Sequence, residues 1–246
     1  MSIECHEDFE GLTRTGQIVA EVLRTLREAV RPGVTTAELD AIAARELAAR
    51  GAQSSPALVY GFPGACCISV NDEVVHGVPG SRAVRAGDIV KLDVTAQKDG
   101  YVADAAISVL VPPVDAATAR PARCAQRAFR QAMRFARTGN KISAISASVE
   151  REVRRSGFSV VRELCGHGVG RTIHESPQVP NYYDPTDRQI LTEGLVITVE
   201  PIITAGRDGV CTDNDGWTIR TLDGARSAHF EHTLVVTRKG PILLTA

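Results

Sequence analysis

Four acids and two histidines stand in this sequence at positions from which they could act together. Asp93 ends the segment GDIVKLD and Glu200 ends GLVITVE, while Asp104 lies in YVADAAISVLV and Glu231 in SAHFEHTLVV. Asp93 and Glu200 each close a short apolar run of the kind that forms a buried strand. His167 and His174 are seven positions apart in CGHGVGRTIHESPQV. A helix would put them on one face, but Gly166, Gly168 and Gly170 are crowded between or beside them. Each glycine costs about 1 kcal/mol in a helix interior, so non-helical backbone must bring the imidazoles together. Carboxylates gathered in one place raise one another's pKa unless a cation lies between them. A carboxylate-rich set with one imidazole suits Mn, Fe, Co or Zn in an open site rather than a thiolate-type structural zinc. Two aspartates, two glutamates and one histidine suffice for two cations that share carboxylates about 3.5–4 Å apart. The other histidine is then free to contact a substrate.

The first acid pair can be checked by register. Lys98-Asp99-Gly100-Tyr101 reads as a two-residue hairpin turn with Asp-Gly at the positive-φ positions. Pairing Lys98 with Tyr101 puts Asp93 opposite Ala106, and Asp104 becomes a diagonal neighbour on the same face. Acids in strands commonly form a solvated face; here the flanking Val90, Leu92, Val94 and Ile107 argue for burial. No basic residue falls in register, which favours a metal. Pro201 after Glu200 stops the strand donating a ladder bond and suits the rim of a site. Alternation puts Glu231 on a face with His229 and Thr233, opposite Phe230 and Leu234. His229 is tempting as a ligand, but is expected behind the ligands or at the surface, and His232 as a core histidine with its own partner.

The elements that must hold these residues repeat once. Apolar residues at Val19, Leu23, Leu26 and Val30 mark a helix over 8–30, ended by Arg31-Pro32-Gly33. Thr35-x-x-Glu38 opens a second helix as a capping box and runs to Gly51. Later, a helix across 115–137 ends at Arg137-Thr138-Gly139 and another runs to Gly157. GDIVKLD and GLVITVE then match at an offset of 107, and Pro112-Pro113 separates the halves. The expectation is one α/β domain over 1–246, with pseudo-repeats of helix, helix, strand, strand over about 1–112 and 113–246. The four acids would meet where the units face each other.

Composition sets the class. The chain has 246 residues, 43% hydrophobic and 23% charged, with net charge -1. That balance carries no electrostatic footprint for nucleic acid or an anionic membrane. The N-terminal MSIECHEDFE has acids where a secretion signal needs basic and apolar residues. No apolar run approaches the ~18 residues of a membrane span. Six cysteines without a CxxC pair read as free thiols, so a reducing cytoplasm is expected.

Over essentially its full length the sequence resembles the type I methionine aminopeptidases, in their short bacterial form. The motifs that carry the resemblance are NDEVVHGVPG (71–80), DVTAQKDGYVAD (93–104), CGHGVGRTIHESPQV (165–179), TVEP (198–201) and HFEHTLVVT (229–237). The resemblance implies the pita-bread fold, two pseudo-symmetric halves around a curved antiparallel sheet. It implies removal of the initiator methionine, preferably before a small second residue, by a water that two divalent cations activate. The metal could be Co, Mn, Fe(II) or Zn. Asp93 would hold one cation, Asp104 and Glu231 both, and His167 and Glu200 would complete the other. Glu200 would also serve as general base and acid, His174 would donate to the scissile carbonyl, and His76 would contact the amide nitrogen. Phe62, Cys67, Ile173 and Trp217 would line an apolar, sulfur-and-aromatic pocket suited to a thioether, with Cys66 left in the core. The implied partners are nascent polypeptide N-termini, met at the ribosome exit, with no nucleic acid and no membrane, and a monomer is expected.

The sequence departs from the family's pattern at Ala103-Asp104-Ala105, at Val59 where an aromatic residue is common, and at Ile173 where phenylalanine usually precedes His-Glu. The departures bear on the pocket and on what surrounds Asp104. A zinc-binding extension like that of eukaryotic relatives is not expected, since Cys5 alone cannot make one. Proline-directed relatives use similar ligands but usually carry a large N-terminal domain. A non-catalytic binding module of the same fold would lose ligands, and here every ligand position is filled.

Overall fold

The computed structural model describes all residues from 1 to 246. The first half opens with α1 (His6–Ala29), whose buried stripe includes Leu12, Val19, Val22, Leu23 and Leu26. Val30, one residue on, is the C-cap and only half-buried. In α2 (Thr36–Ala49) the capping box is complete. Thr35 Oγ1 accepts from the Glu38 N–H at 3.2 Å, and Glu38 Oε2 accepts from the Thr35 N–H at 2.8 Å. There follow β1 (Gln53–Ser54), α3 (Ser55–Tyr60), β2 (Cys67–Val70) and β3 (Glu73–Val75). Two long strands close the half, β4 (Ile89–Lys98) and β5 (Tyr101–Leu110).

The second half begins with α4 (Ala116–Ala132) and α5 (Ile142–Arg155). The helix expected to reach 137 stops at 132. Its last turn tightens into i→i−3 bonds, Arg134 N–H to the Gln131 carbonyl and Phe135 N–H to that of Ala132. The Phe135 carbonyl accepts from Asn140 Nδ2 at 2.9 Å and from the Arg137 N–H. Short strands follow: β6 (Ser159–Val160), β7 (Cys165–Gly168), β8 (Glu175–Pro180), β9 (Val196–Val199) and β10 (Ile202–Thr204). The rest are β11 (Val210–Thr212), β12 (Ile219–Thr221), β13 (Ser227–His229), β14 (Glu231–Val235) and β15 (Ile242–Leu243).

The main sheet runs β1-β4-β5-β14-β9-β7-β8, with β2 also on β4 and β15 on β14, and its pairs are antiparallel. Its middle is the β5–β14 pair, where Glu231 faces Ala106, with β4 and β9 on either side. The β4–β5 hairpin keeps the register read from its turn: Lys98 faces Tyr101, Asp93 faces Ala106 and Thr95 faces Asp104. Asp99 and Gly100 have φ of 50° and 79°, as the turn requires.

Burial assigns the two faces. Val90, Leu92, Val94 and Ala96 of β4 and Ala103 and Ala105 of β5 join α1 and α2 in one apolar cluster. Ile197 and Val199 of β9 and Leu234 of β14 join α4 and α5 in another. Side chains alternate across a strand, so Asp93, Thr95, Asp104, Thr198, Glu231 and Thr233 point to the opposite face. The four long helices α1, α2, α4 and α5 thus occupy one side and leave the other for polar groups. No helix is long and apolar enough to cross a membrane.

Candidate metal centre

The four acids are buried or nearly so on the face opposite the long helices: Asp104 is 6% exposed, Glu200 8% and Glu231 2%. His167 joins them from β7. Close backbone approach is what places it there. A Cβ on Gly166 would lie 2.7 Å from the Thr198 carbonyl, and one on Gly168 would lie 2.2 Å from that of Ser176. A register shift between His167 and Gly168 turns the strand, and the following loop carries His174 back so that the two imidazole centroids are 4.4 Å apart. The crowded glycines therefore serve packing of β7 between β8 and β9.

His167, Glu200 and the backbone at Asp104 are held by hydrogen bonds. The His167 main-chain N–H donates to Thr198 Oγ1 at 3.0 Å, and Thr198 Oγ1 donates to Glu200 Oε1 at 3.0 Å. His167 Nδ1 donates to the Gly168 carbonyl at 2.9 Å. That bond fixes the tautomer and leaves Nε2 with a free lone pair. Nε2 faces Glu200 Oε1 at 3.6 Å and Asp104 Oδ2 at 4.0 Å. On the central pair, Thr233 Oγ1 accepts from the Asp104 N–H at 2.9 Å and donates to its carbonyl at 2.8 Å.

No lysine or arginine offsets this charge, and the titration behaviour follows. Burial, then Asp104 and Glu200, pushes Asp93 well above the usual carboxylate range. Burial lifts Asp104 to about 7. Glu200 is pushed up by burial and then by Asp104, and Glu231 by burial and then by Asp104, Glu200 and Asp93. Burial and then His174 hold His167 down to about 4, so it is neutral at pH 7. Asp104 Oδ1 and Glu231 Oε1 are buried with no hydrogen-bond partner, a costly condition unless something else occupies them. Asp104, His167 and Glu231 offer ligand atoms within 4.8 Å of one another, as do Asp93, His229 and Glu231. Hard oxygens, neutral imidazole and orphaned acceptors together fit divalent cations.

One cavity opens onto the cluster. It is lined by His76, Asp93, Asp104, His167, His174, Glu200 and Glu231, and its apolar wall includes Phe62, Cys67, Ile173 and Trp217. Every site residue picked from the sequence thus lies around one space. Phe62 and Trp217 pack edge to face with centroids 5.3 Å apart. Cys66 stays in the core at 1% exposure. His76 follows β3 with φ of 56°, a conformation few L residues adopt, and burial keeps it neutral by lowering its pKa.

Tyr60 is a cavity residue to which no sequence pattern above assigns a role. Its hydroxyl lies 2.7 Å from His174 Nδ1. Val59, a departure from the pattern, is 50% exposed and outside the cavity, so the aromatic wall comes from its neighbour instead. An aromatic with a polar tip two residues before Phe62 in VYGFPG is the signal that was there. His229, expected behind the ligands or at the surface, is 2% exposed and lines the cavity among the acids. Alternation puts it on the Glu231 face, and there its Nε2 lies 3.4 Å from Glu231 Oε2. His232 is the core histidine expected, with Nδ1 2.9 Å from Thr245 Oγ1 and its ring against Phe129 and Phe230.

Residues 10–238 match the model of metallopeptidase family M24. A methionine aminopeptidase of Staphylococcus epidermidis is 42% identical over 247 aligned positions, covering 100% of this chain and 98% of its own. The crystal structure of a methionine aminopeptidase from Thermotoga maritima superposes with a TM-score of 0.96 at 34% identity, covering 100% and 99% of the two chains. A prolidase from Pyrococcus furiosus shares the fold at a TM-score of 0.80, but at 21% identity and with only 65% of its own chain covered.

Proposed function

Since the chain belongs to metallopeptidase family M24 and, within it, to the methionine aminopeptidases, we infer that the cavity is where its chemistry occurs. The enzyme is a metal-dependent aminopeptidase that removes the N-terminal methionine of polypeptides. For the centre we propose two divalent cations (Co, Mn, Fe(II) or Zn), with Asp93 on one, Asp104 and Glu231 on both, and His167 and Glu200 completing the other. When bound, they would lower the pKa of water and so provide a nucleophile at neutral pH.

The remaining work falls to the chain's own side chains. Glu200 takes and later returns a proton; Thr198 orients it, and burial raises its pKa toward the range where a carboxyl can do both. If Tyr60 donates its O–H to His174 Nδ1, Nε2 of His174 carries the proton and can donate to the scissile carbonyl as charge develops there. His76 contacts the amide nitrogen and helps the amine depart. Phe62, Cys67, Ile173 and Trp217 receive the methionine side chain. The cavity measures about 190 Å³, several times the ~30 Å³ share of one water molecule. Beyond the scissile bond, His76 and the loop at Phe62 leave room for a small second residue. The wider reading is a monomeric single domain with two pseudo-equivalent halves, acting in the cytoplasm on nascent chains as they leave the ribosome.

The observation that carries this reading is the meeting of five ligand-type residues, two with orphaned oxygens, in a cavity whose remaining wall is largely apolar. A tripeptide panel varied at the first two positions, read by kcat/KM with and without chelator, tests it. Met-Ala, Met-Gly and Met-Ser peptides should be cleaved well, Met-Lys and Met-Phe poorly, and N-acetylated peptides not at all. Preference for Xaa-Pro peptides lacking methionine, or undiminished turnover after metal removal, would overturn it.

A further inference from the structure

His229 remains to be explained. It ends β13, and its main chain is held on both sides: its N–H donates to Ser108 Oγ at 3.0 Å, and Ser108 Oγ donates to its carbonyl at 2.8 Å. The backbone that carries the ring is therefore held at both of its polar groups, and the side chain is buried. Its Nε2 is buried and has no hydrogen-bond partner. It lies 3.4 Å from Glu231 Oε2 and 3.7 Å from Glu200 Oε2, beside both and bonded to neither. A nitrogen aimed between carboxylates at these distances has the placement of a ligand atom, not of a donor to one oxygen. With Asp93 and Glu231 it forms a triad within 4.8 Å, next to the triad of Asp104, His167 and Glu231. Glu231 belongs to both triads.

We propose that His229 is a direct ligand of the cation held by Asp93, so that each of the two positions carries one imidazole. The proposal rests on the two-cation reading of the centre. It changes what the Asp93 position would select. With carboxylates and water alone that position suits Mg, Ca or Mn, whereas an added imidazole shifts preference toward Fe, Co, Ni or Zn. His167 and His229 then play matching parts on the two sides of Glu231.

The test uses the full-length protein loaded with Co(II), with its histidines labelled with ¹⁵N. Imidazoles bonded to high-spin cobalt give contact-shifted signals far outside the ordinary range, and nearby unbonded rings such as His76 and His174 do not. Two such ring systems are expected in the wild type, one lost in His167→Gln and the other in His229→Gln. Calorimetric titration should show His229→Gln weakening one cobalt equivalent by about tenfold or more, a loss that even groups behind the ligands can cause, and leaving the other unchanged. The same variant should lose discrimination of Co(II) over Mg(II) at the weakened equivalent. A single contact-shifted ring in cobalt-loaded wild type, assigned to His167, would overturn the proposal while leaving the centre intact. A wild type that takes up no cobalt would remove the centre and this ligand together. The wild-type spectrum decides even if the variant folds poorly.

Discussion

At the scale of single residues, the same burial that makes the acids costly makes them useful. Asp104 has one oxygen without a partner and lies in one of the two ligand triads. Asp104→Asn removes the charge and one lone-pair set, so metal content and peptide hydrolysis should fall together, as elemental analysis beside an activity assay would show. The two histidines of the glycine-rich stretch should separate. His167→Ala should weaken metal binding, whereas His174→Ala should leave metal content nearly intact while kcat drops by about 10²–10³, the usual cost of one oxyanion donor. Equal metal loss in both variants would defeat that division. The titration shifts add a signed expectation. Asp104 lies at about 7, with Asp93, Glu200 and Glu231 pushed up as well. The metal-free cluster therefore holds protons at pH 7 that a cation must displace, while His167, held at about 4, has none to give. Metal affinity should rise with pH between about 6 and 8, by roughly tenfold per pH unit for each proton released. Calorimetry in buffers of different ionisation enthalpy counts those protons; a count of zero would contradict the shifts.

At the scale of elements, the β7 strand is the most constrained. Gly168→Ala would put a methyl group 2.2 Å from the Ser176 carbonyl, and backbone cannot step aside as a side chain can. Overpacking of this kind costs about 1–3 kcal/mol. A melting temperature lower by several degrees is expected from a thermal scan, at about 2–4 °C per kcal/mol for a chain of this size. The β4–β5 hairpin was the most legible element, because a Asp-Gly turn fixes register and register fixes which acids share a face. The capping box of α2 was legible for the same reason, being a purely local pattern. What the sequence could not reveal depends on contacts between distant segments. Lys91, inside an apolar strand pattern, is 1% exposed because its amine reaches the Asn71 carbonyl at 2.7 Å and Ser227 Oγ at 3.0 Å. Nothing near Lys91 in the chain announces those partners. His229 is a mixed case: alternation places it on the face of Glu231, but its approach to Glu200 at 3.7 Å comes with the pairing of β13 on β10, a segment distant in the chain.

At the scale of the whole molecule, the site belongs to neither half alone. The first half brings Asp93 and Asp104, the second His167, Glu200 and Glu231, and the β5–β14 pair joins them. Chelation should therefore lower the melting temperature of the whole chain in one transition, and restored Co(II) should raise it again by adding RT ln(1 + [L]/Kd) to the free energy of unfolding. Calorimetric scans that resolve a metal-sensitive and a metal-insensitive transition would argue against such sharing. The split between halves also orders events in time. A hairpin such as β4–β5 forms in about 1–10 μs, whereas pairing Ala106 with Glu231 must close a long loop and is correspondingly slow. A refolding chain thus gains helix and hairpin signal first, and becomes able to chelate only when its two halves have docked. Cobalt colour in a stopped-flow refolding experiment should lag the far-ultraviolet signal, and it would act as a clock for the last step of folding.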